Sequence, residues 1–264
     1  MLNKYYIGLI LGKEEPIMKN LVVAVISILI GFVAVSQAEA VLIDFDELAN
    51  GTQLWNQYKS SYGLKIRCNN PNRDDPDRAI TFDTMLDNTA DPDLEFPWSG
   101  GNAATEKFGN VLIIAENLID ADGDGLVDDP DDEGSQPAGH IRFVFDNPIT
   151  AFGFSFIDVD GSGGEEPKNY KVNFYLGGTK VGQLNFKQYK DIDSTIIHGN
   201  HFANHYPVIT ASYIGSPFDK VRVRFAGSGA IDNIYFCPIP EPMTMVLFGS
   251  GLLGLGIFKR RREP

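Results

Sequence analysis

Short runs rich in β-branched and aromatic residues recur along most of the chain, separated by turn-forming segments. In several of them apolar and polar residues alternate, as in 141–145, where Arg142 lies between Ile141 and Phe143. A period of two places one set of side chains on a core and the other in solvent, which is typical of antiparallel sheets. No comparable segment has the 3.6-residue repeat of an amphipathic helix, so the pattern predicts an all-β domain. The predicted strands are 41–45, 64–68, 80–82, 111–115, 141–145, 151–157, 170–176, 180–189, 208–214, 221–225 and 231–236.

About ten strands in some 200 residues favour two packed sheets, an antiparallel β-sandwich of jelly-roll type. Gly177 and Gly178 separate two of the runs and predict a two-residue hairpin. Long segments rich in Asp, Asn, Pro and Gly interrupt the pattern, and insertions on a rigid scaffold often carry binding sites. They span 69–79, 86–109, 116–139 and 159–168.

The N-terminal region has the pattern of a secretory signal peptide. A charged start at Met18 precedes an apolar run and a small-residue cleavage site that ends at Ala40. We therefore expect 18–40 to be a signal peptide that is removed by cleavage after Ala40. Because this signal begins with its own Met, we interpret residues 1–17 as a misassigned start, which leaves one domain at 41–239.

The C-terminal tail, 240–264, combines three features in order. Pro240, Glu241 and Pro242 are followed by an apolar run, 243–258, and then by four basic residues. The run predicts a short transmembrane helix with its basic end in the cytoplasm, although 16 residues is less than the roughly 20 of a typical span. An ordinary C-terminal anchor or a buried helix is the alternative.

This tail resembles the PEP-CTERM sorting signal of exported bacterial proteins. The resemblance implies that an exosortase-type membrane protease recognises and removes the tail, so that the inner membrane holds the protein only transiently. It also implies a Gram-negative bacterium that makes extracellular polysaccharide. The expected location is therefore the cell surface or the extracellular polysaccharide matrix.

The charge of the chain and its cysteines fit an exported protein. The whole chain has a net charge of −13, and the region 41–239 holds 15 basic and 30 acidic residues. Such a surface disfavours nucleic acid and favours cations. Cys68 and Cys237 predict a disulfide in an oxidising compartment, with two independent thiols as the alternative.

The acidic residues are most concentrated between 120 and 133, where their spacing matches the front of a calcium loop. Asp131 stands where an EF-hand has a bidentate Glu, and no helical pattern flanks the loop, so it is more similar to the loops of thrombospondin type 3 repeats. Asp132 or Glu133 are alternatives for completing the ligand shell, and a solvated acidic insertion without an ion is the alternative to the whole site. The candidate calcium ligands are Asp120, Asp122, Asp124, the carbonyl of Leu126, Asp128 and Asp131.

Two further sets of acidic residues are candidate metal sites. Asp158 and Asp160 have a spacing that suits a hard cation, with an acidic turn as the alternative. Asp46 or Glu47, near Asp44, could pair with Asp232 around a structural calcium, as in jelly-roll modules. The alternative is that Asp232 accepts backbone hydrogen bonds.

Histidines and tryptophans are weaker candidates. His198, His201 and His205 lie close together in sequence and could bind a transition metal, but they lack a helical spacing or an H-E-x-x-H signature. Trp55 and Trp98 lie in or near insertions and are candidate glycan-stacking residues, with a place in the core as the alternative.

The sequence contains no G-x-S-x-G elbow, phosphate-cradling loop or dinucleotide fingerprint. We therefore expect a non-enzymatic, exported, calcium-binding protein whose partner is extracellular polysaccharide, with a carbohydrate-binding or adhesive role. A secreted polysaccharide hydrolase or lyase of jelly-roll fold is one alternative. A purely structural matrix protein is the other.

Overall fold

The computed structural model describes residues 39–72, 77–159 and 167–239, which belong to one compact unit, Glu39–Ile239. These residues form β1 (Val41–Ile43), β2 (Gln53–Leu54), β3 (Leu64–Asn69), β4 (Ala79–Asp83), β5 (Asn110–Ile114), β6 (Gly139–Ile157), β7 (Lys171–Leu176), β8 (Thr179–Asn185), β9 (Ala203–Thr210), β10 (Phe218–Phe225) and β11 (Ala230–Pro238). The short helices are α1 (Lys59–Tyr62), the 3-10 helix Pro92–Leu94, α2 (Phe186–Ile192) and α3 (Ala211–Ile214).

Strand β6, 19 residues long, is shared by two sets of antiparallel partners. Its first half pairs with β3 and β10, so that Ile141 lies opposite Cys68 and Val223. Its second half pairs with β9 and β11. Strands β7 and β8 extend the first set beyond β10, while β5, β4 and β2 extend the second set beyond β11, which also pairs with β1. The prediction of an all-β, antiparallel fold is confirmed.

The two sets share one apolar core. Phe143 in the first half of β6 meets Phe152 in the second half, with ring centroids 5.4 Å apart. Phe156 in the second half contacts Phe225 of β10, with centroids 4.9 Å apart. Side chains from both sets therefore meet across the interior, which is consistent with a β-sandwich. The jelly-roll connectivity stays a prediction.

A second apolar cluster lies on the other side of β4 and β5. Phe82, Val111 and Ile113 are buried there. They pack with Leu94 and Val127, which come from the insertions 86–109 and 116–139. These insertions are therefore folded onto the sheet.

Three local predictions differ from the structure. The runs 141–145 and 151–157 are one strand, and Pro148 lies where β6 changes partners. Residues 186–189 are helical, because Asn185 and Gln188 form a capping box that starts α2. Residues 211–214 also form a helix, α3, capped by Thr210.

The predicted hairpin is present. Leu176 of β7 pairs with Thr179 of β8. Gly177 and Gly178 both have positive φ, 55° and 85°, as a primed two-residue turn requires.

The predicted disulfide is wrong, because Cys68 and Cys237 are not bonded. Cys68 lies opposite Ile141, whereas Cys237 lies opposite Ala151, ten residues farther along β6. The two cysteines therefore lie on different strands, which pair with different halves of β6.

The predicted signal peptide lies almost wholly outside the described residues, as do the C-terminal tail and Asp160. None of the helices in the described ranges combines the length and the apolar character that crossing a membrane requires. The transmembrane helix at 243–258 stays a prediction.

Candidate functional site

The calcium-loop candidate folds around the carboxylate of Asp120. Its oxygens accept hydrogen bonds from the backbone N–H groups of Gly123 (2.8 Å), Asp124 (3.1 Å) and Gly125 (3.0 Å). Both glycines have positive φ, 79° and 90°, which lets the chain curl tightly around the carboxylate. Oxygens of Asp120, Asp122 and Asp124 all lie within 4.8 Å of one another. The structure thus brings together the first three predicted ligands.

The later part of the loop holds it closed and attaches it to the sheet. Asp128 Oδ2 accepts a hydrogen bond from Ala121 N at 2.7 Å. Leu126 N donates to Asp124 Oδ1 at 2.8 Å. Val127 is buried and its N–H donates to the carbonyl of Gly51 at 3.0 Å. Calcium binding by these residues stays a prediction.

Asp131 does not join this loop; it belongs to a second carboxylate cluster with Asp91 and Asp132, whose oxygens also lie within 4.8 Å of one another. The insertions 86–109 and 116–139 meet here. Asp91 precedes the 3-10 helix of the insertion 86–109. Asp132 forms an isolated antiparallel bridge with Ala115 at the end of β5. The sequence spacing that placed Asp131 at position 12 of the loop is therefore overridden by strand pairing.

The second cluster is buried and acidic. Asp91 and Asp132 are each 6 % exposed. Asp132 Oδ2 accepts hydrogen bonds from Gly229 N and from Ser228 Oγ, the latter at 2.8 Å. Asp91 Oδ2 is buried without a hydrogen-bond partner. A buried acceptor without a partner is unfavourable by about 1–3 kcal/mol. A proton or a cation bound to this oxygen would remove that unfavourable free energy.

The carboxyl groups of the cluster have raised pKa values. Burial is the main cause for Asp91, whose pKa is also raised by a hydrogen bond with Asp93 and by nearby carboxylates. Burial likewise raises the pKa of Asp132, against the opposing effect of its hydrogen bonds. The pKa of Asp131 rises to about 6 because of burial and repulsion by Glu116 and Asp129. In each case the raised pKa means that, without a cation, the neutral protonated form of the carboxyl group is favoured over the charged form up to a higher pH than in an exposed carboxyl group.

Asp158 borders this cluster rather than forming a separate exposed turn. It is 2 % exposed and has a φ of 61°. Its Oδ2 lies 2.9 Å from Ser228 Oγ, which also contacts Asp132. Because one hydroxyl carries a single proton, Ser228 donates to only one of these two carboxylates at a time. The predicted pairing with Asp160 stays untested.

Asp232 is the centre of the third candidate site, but Asp46, Glu47 and Asp232 are not among the groups of described carboxylates whose oxygens all lie within 4.8 Å of one another. It lies at a bulge in the pairing of β11 with β6 and is 1 % exposed. Both of its carboxylate oxygens are buried without a hydrogen-bond partner. Burial raises its pKa, and the charges of Asp46 and Asp44 raise it further, against the opposing effect of the backbone N–H of Asn233. The metal-ligand role of Asp232 and its alternative, a carboxylate that accepts backbone hydrogen bonds, both stay predictions.

The side chains near Asp232 come from the segment after β1. Since β1 runs antiparallel to β11, with Ile43 opposite Ile234, the chain beyond Ile43 continues toward Asp232. Asp46 Oδ1 accepts a hydrogen bond from Asn110 N at 2.8 Å, while Asn110 Oδ1 is buried without a partner. Carboxylate and amide oxygens are the donors that calcium prefers.

Glu47 is held by the hydroxyl of Tyr58, which donates to Glu47 Oε1 at 2.7 Å. Burial raises the pKa of the Tyr58 hydroxyl, and the hydrogen bond to Glu47 raises it further. Glu47 is therefore positioned by the hydroxyl of Tyr58.

The three histidines do not converge on one point. His198 Nε2 contacts the Tyr206 hydroxyl at 3.1 Å. His201 Nδ1 contacts Ser99 Oγ at 3.0 Å, and His205 Nε2 contacts Glu106 Oε2 at 2.9 Å. The rings of His201 and His205 attach the insertion 86–109 to the neighbourhood of β9, so the plain polar role is favoured over a shared transition metal.

The two tryptophans have different environments. Trp98 is 6 % exposed, and its indole N–H donates to the carbonyl of Glu106 at 2.9 Å. It belongs to the second apolar cluster, and its prediction as a glycan-stacking residue is wrong. Trp55 is 43 % exposed, with the guanidinium of Arg67 3.9 Å from its ring centroid.

The sequence pattern did not reveal Asp91 as a candidate. It lies 40 residues before Asp131, and no spacing rule connects the two insertions. The only local signal was an Asp before Pro92, which marks the start of a short helix. Its place among buried carboxylates depends on tertiary packing.

The fold and these sites define an all-β antiparallel protein whose insertions gather carboxylates on and beneath its surface. Residues 238–262 match the family model described as the PEP-CTERM protein-sorting motif, so the resemblance based on Pro240, Glu241 and Pro242 is confirmed. The motif implies processing by an exosortase and indicates an exported, cell-surface-associated protein.

The comparison with solved structures found a distant similarity to the K2 cleaved adhesin domain of Lys-gingipain. The match covers 75 % of this chain and 99 % of that chain, at 12 % sequence identity and a TM-score of 0.37. This likeness is too remote to transfer a ligand or a function. No curated protein matches the sequence.

Proposed function

We propose that this protein is a non-enzymatic, calcium-binding module that is exported and held at the cell surface or in the extracellular polysaccharide matrix of a Gram-negative bacterium. The observation that carries the calcium assignment is the burial of Asp91, Asp132 and Asp232 without a basic partner. Among the described residues, no ion pair involves any of the three. Calcium would neutralise the concentrated charge and complete the coordination of oxygens that lack hydrogen bonds.

The proposal assigns calcium to three places. Asp120, Asp122 and Asp124 would bind one ion at the surface, with Asp128 and the Leu126 carbonyl as further ligands. Asp91, Asp131 and Asp132 would bind a second ion where the insertions meet. Asp232 would bind a third with Asp46 and Glu47. Bound at these places, calcium would join the insertions and the first strand to the sheet, in keeping with a jelly-roll module stabilised by structural ions.

Calcium content and thermal stability test the proposal on the full-length chain in mild detergent. Elemental analysis should find bound calcium, and the thermal midpoint should fall when a chelator removes it. The variants Asp122→Asn and Asp91→Asn should each reduce the calcium content, whereas Asp191→Asn, an exposed carboxylate on α2, is the matched control. An unchanged midpoint together with no bound calcium would refute the assignment.

The polysaccharide-binding or adhesive role distinguishes the proposal from its two alternatives. A hydrolase or lyase would shorten polysaccharide chains during incubation, which size-exclusion chromatography of the polymer detects. A purely structural matrix protein would bind no polysaccharide. Binding without shortening is the result that we expect.

A further inference from the structure

The strands β3, β6, β10, β7 and β8 share one outer face. This face is basic, although the chain as a whole is acidic. Strand register aligns five polar side chains in one row across this face: Arg67, Arg142, Arg222, Asn173 and Gln183, from β3, β6, β10, β7 and β8 respectively. The flanking residues in these strands, such as Ile141 and Val223, are buried in the core. Because side chains alternate along a strand, the row projects outward.

The next row of outward-facing side chains along these strands is also basic. His140, Arg224 and Lys171 lie side by side on β6, β10 and β7. This row, together with Arg222, Asn173 and Gln183 of the first row, lines a groove of about 400 Å³, and none of the described residues that line it is Asp or Glu. The face thus concentrates positive charge in a chain whose net charge is −13.

The basic groups in and beside the groove have no acidic ion-pair partners in the part of the chain that the structure describes. Among the described residues no ion pair involves Arg142, Arg222, Arg224 or Lys171. The Nε atoms of Arg142 and Arg222 are buried without a hydrogen-bond acceptor, and so is His140 Nε2. Several like charges held together without counter-charges repel one another, so an anion entering the groove would be stabilised by all of them.

The electrostatic environment of His140 agrees with this. Its pKa is lowered to about 4, chiefly by burial and then by the charges of Arg222 and Arg142, with Arg224 adding to the effect and Asp77 opposing it. A neutral imidazole there can accept or donate one hydrogen bond without adding repulsion.

The remaining groove side chains suit sugar hydroxyls. Asn173 and Gln183 supply amide donors and acceptors, and Tyr175 supplies an aromatic ring beside them. Lys220 Nζ lies 4.5 Å from the ring centroid of Tyr175. Arginine forks pair with planar carboxylates through two parallel hydrogen bonds. The mixture of carboxylate-binding, hydroxyl-binding and aromatic groups corresponds to a sugar that carries a carboxylate.

We propose that this groove binds a linear acidic polysaccharide, with Arg222, Arg224 and Lys171 pairing with the carboxylates of uronic acid units. The inference rests on the proposed polysaccharide-binding role and names its ligand class. Nucleic acid is the less favoured polyanion, because it would extend beyond the groove onto an otherwise acidic surface that repels it. The groove also lacks a series of aromatic platforms for bases.

Binding of polyglucuronate to the full-length chain tests the inference, with the methyl ester of the same polymer as its uncharged counterpart. Isothermal calorimetry in detergent, without added calcium, should show binding of polyglucuronate that weakens as salt is raised. The ester should bind at least about tenfold more weakly, since each lost charge-assisted pair contributes roughly that factor. Equal binding of the two polymers would overturn the proposal.

A matched pair of variants locates the site. Lys171→Gln removes a charge from the groove, whereas Lys187→Gln removes the same charge from an exposed position on α2. We expect about tenfold weaker binding for Lys171→Gln and wild-type binding for Lys187→Gln. Equal affinities of the two variants, or tighter binding of a single-stranded nucleic acid of matched charge, would contradict the assignment.

Calcium-dependent melting of the same samples separates this inference from the proposed metal sites. A normal calcium response without polymer binding means that the groove inference fails and the calcium assignment stands. Polymer binding without any calcium response means that the groove inference stands and the calcium assignment fails. Release of unsaturated sugar ends from polyglucuronate would show a lyase, so the ligand class would stand and the non-enzymatic role would be wrong.

Discussion

The substitution Asp232→Asn separates a calcium ligand from an ordinary buried carboxyl group, because the two roles predict opposite changes in stability. Asp232 is 1 % exposed, and neither of its oxygens has a hydrogen-bond partner. Asparagine has nearly the same shape and cannot ionise. It would thus remove the buried acid next to Asp46 and Asp44 without opening a cavity.

The expected magnitudes follow from the environment of Asp232. Without calcium, the variant should be more stable than the wild type, because the amide avoids the cost of holding an ionisable acid buried beside Asp46 and Asp44, and each unit by which the pKa of that acid is raised corresponds to about 1.4 kcal/mol. With calcium at 100 times its dissociation constant, one occupied site stabilises the wild type by about 2.7 kcal/mol. In a domain of this size that corresponds to a rise of roughly 5–10 °C in the thermal midpoint. The variant should lose this part of the calcium response.

Differential scanning calorimetry of wild type and variant, each with calcium and with chelator, measures both effects. The order of stability should reverse between the two conditions. Asp191→Asn makes the same chemical change at an exposed position and should stay within about 0.5 kcal/mol of the wild type in both. An Asp232→Asn variant that is less stable in chelator, or that keeps the full calcium response, would refute the reasoning.

Two further predictions concern titration and redox state. Burial lowers the pKa of His198 to about 4, so the folded state holds the imidazole neutral and stability should fall as the pH decreases from about 6.5 toward 4. The variant His198→Gln should show a shallower fall in the thermal midpoint over that range, and an identical pH profile would contradict this. Because Cys68 and Cys237 are not bonded, both should react with a maleimide after unfolding without reductant, and the midpoint should be the same with and without dithiothreitol. A mass that shows no alkylation would indicate a disulfide instead.

Much of the fold was predictable from local patterns. Alternation in 221–225 and the neighbouring runs predicted antiparallel strands, since a residue's side of a sheet depends only on its position in the strand. Gly177 and Gly178 predicted their hairpin because few other residues adopt positive φ twice in succession. The helices α2 and α3 were predicted as strand, because short capped helices produce too few turns to show a periodicity.

The candidate sites likewise divide into those that local sequence predicts and those that depend on tertiary packing. The turn around Asp120 is local, so the spacing of its carboxylates was sufficient to predict that Asp122 and Asp124 would join it. The grouping of Asp91 with Asp131 depends on two insertions folding onto β4 and β5, and no feature within either insertion specifies that contact. The basic groove likewise depends on the register of five strands, of which only β7 and β8 are joined by a tight turn.

The sequence by itself determined the class of fold, the sorting motif at 238–262 and the acidic loop, because each depends on residues that are close together in the chain. Only the tertiary structure decided that Cys68 and Cys237 lie apart, that Asp232 is buried with its oxygens unpartnered, and that the arginines form a row. These are relations between distant segments. They follow from strand order and register, and the alternation of apolar and polar residues specifies neither of these.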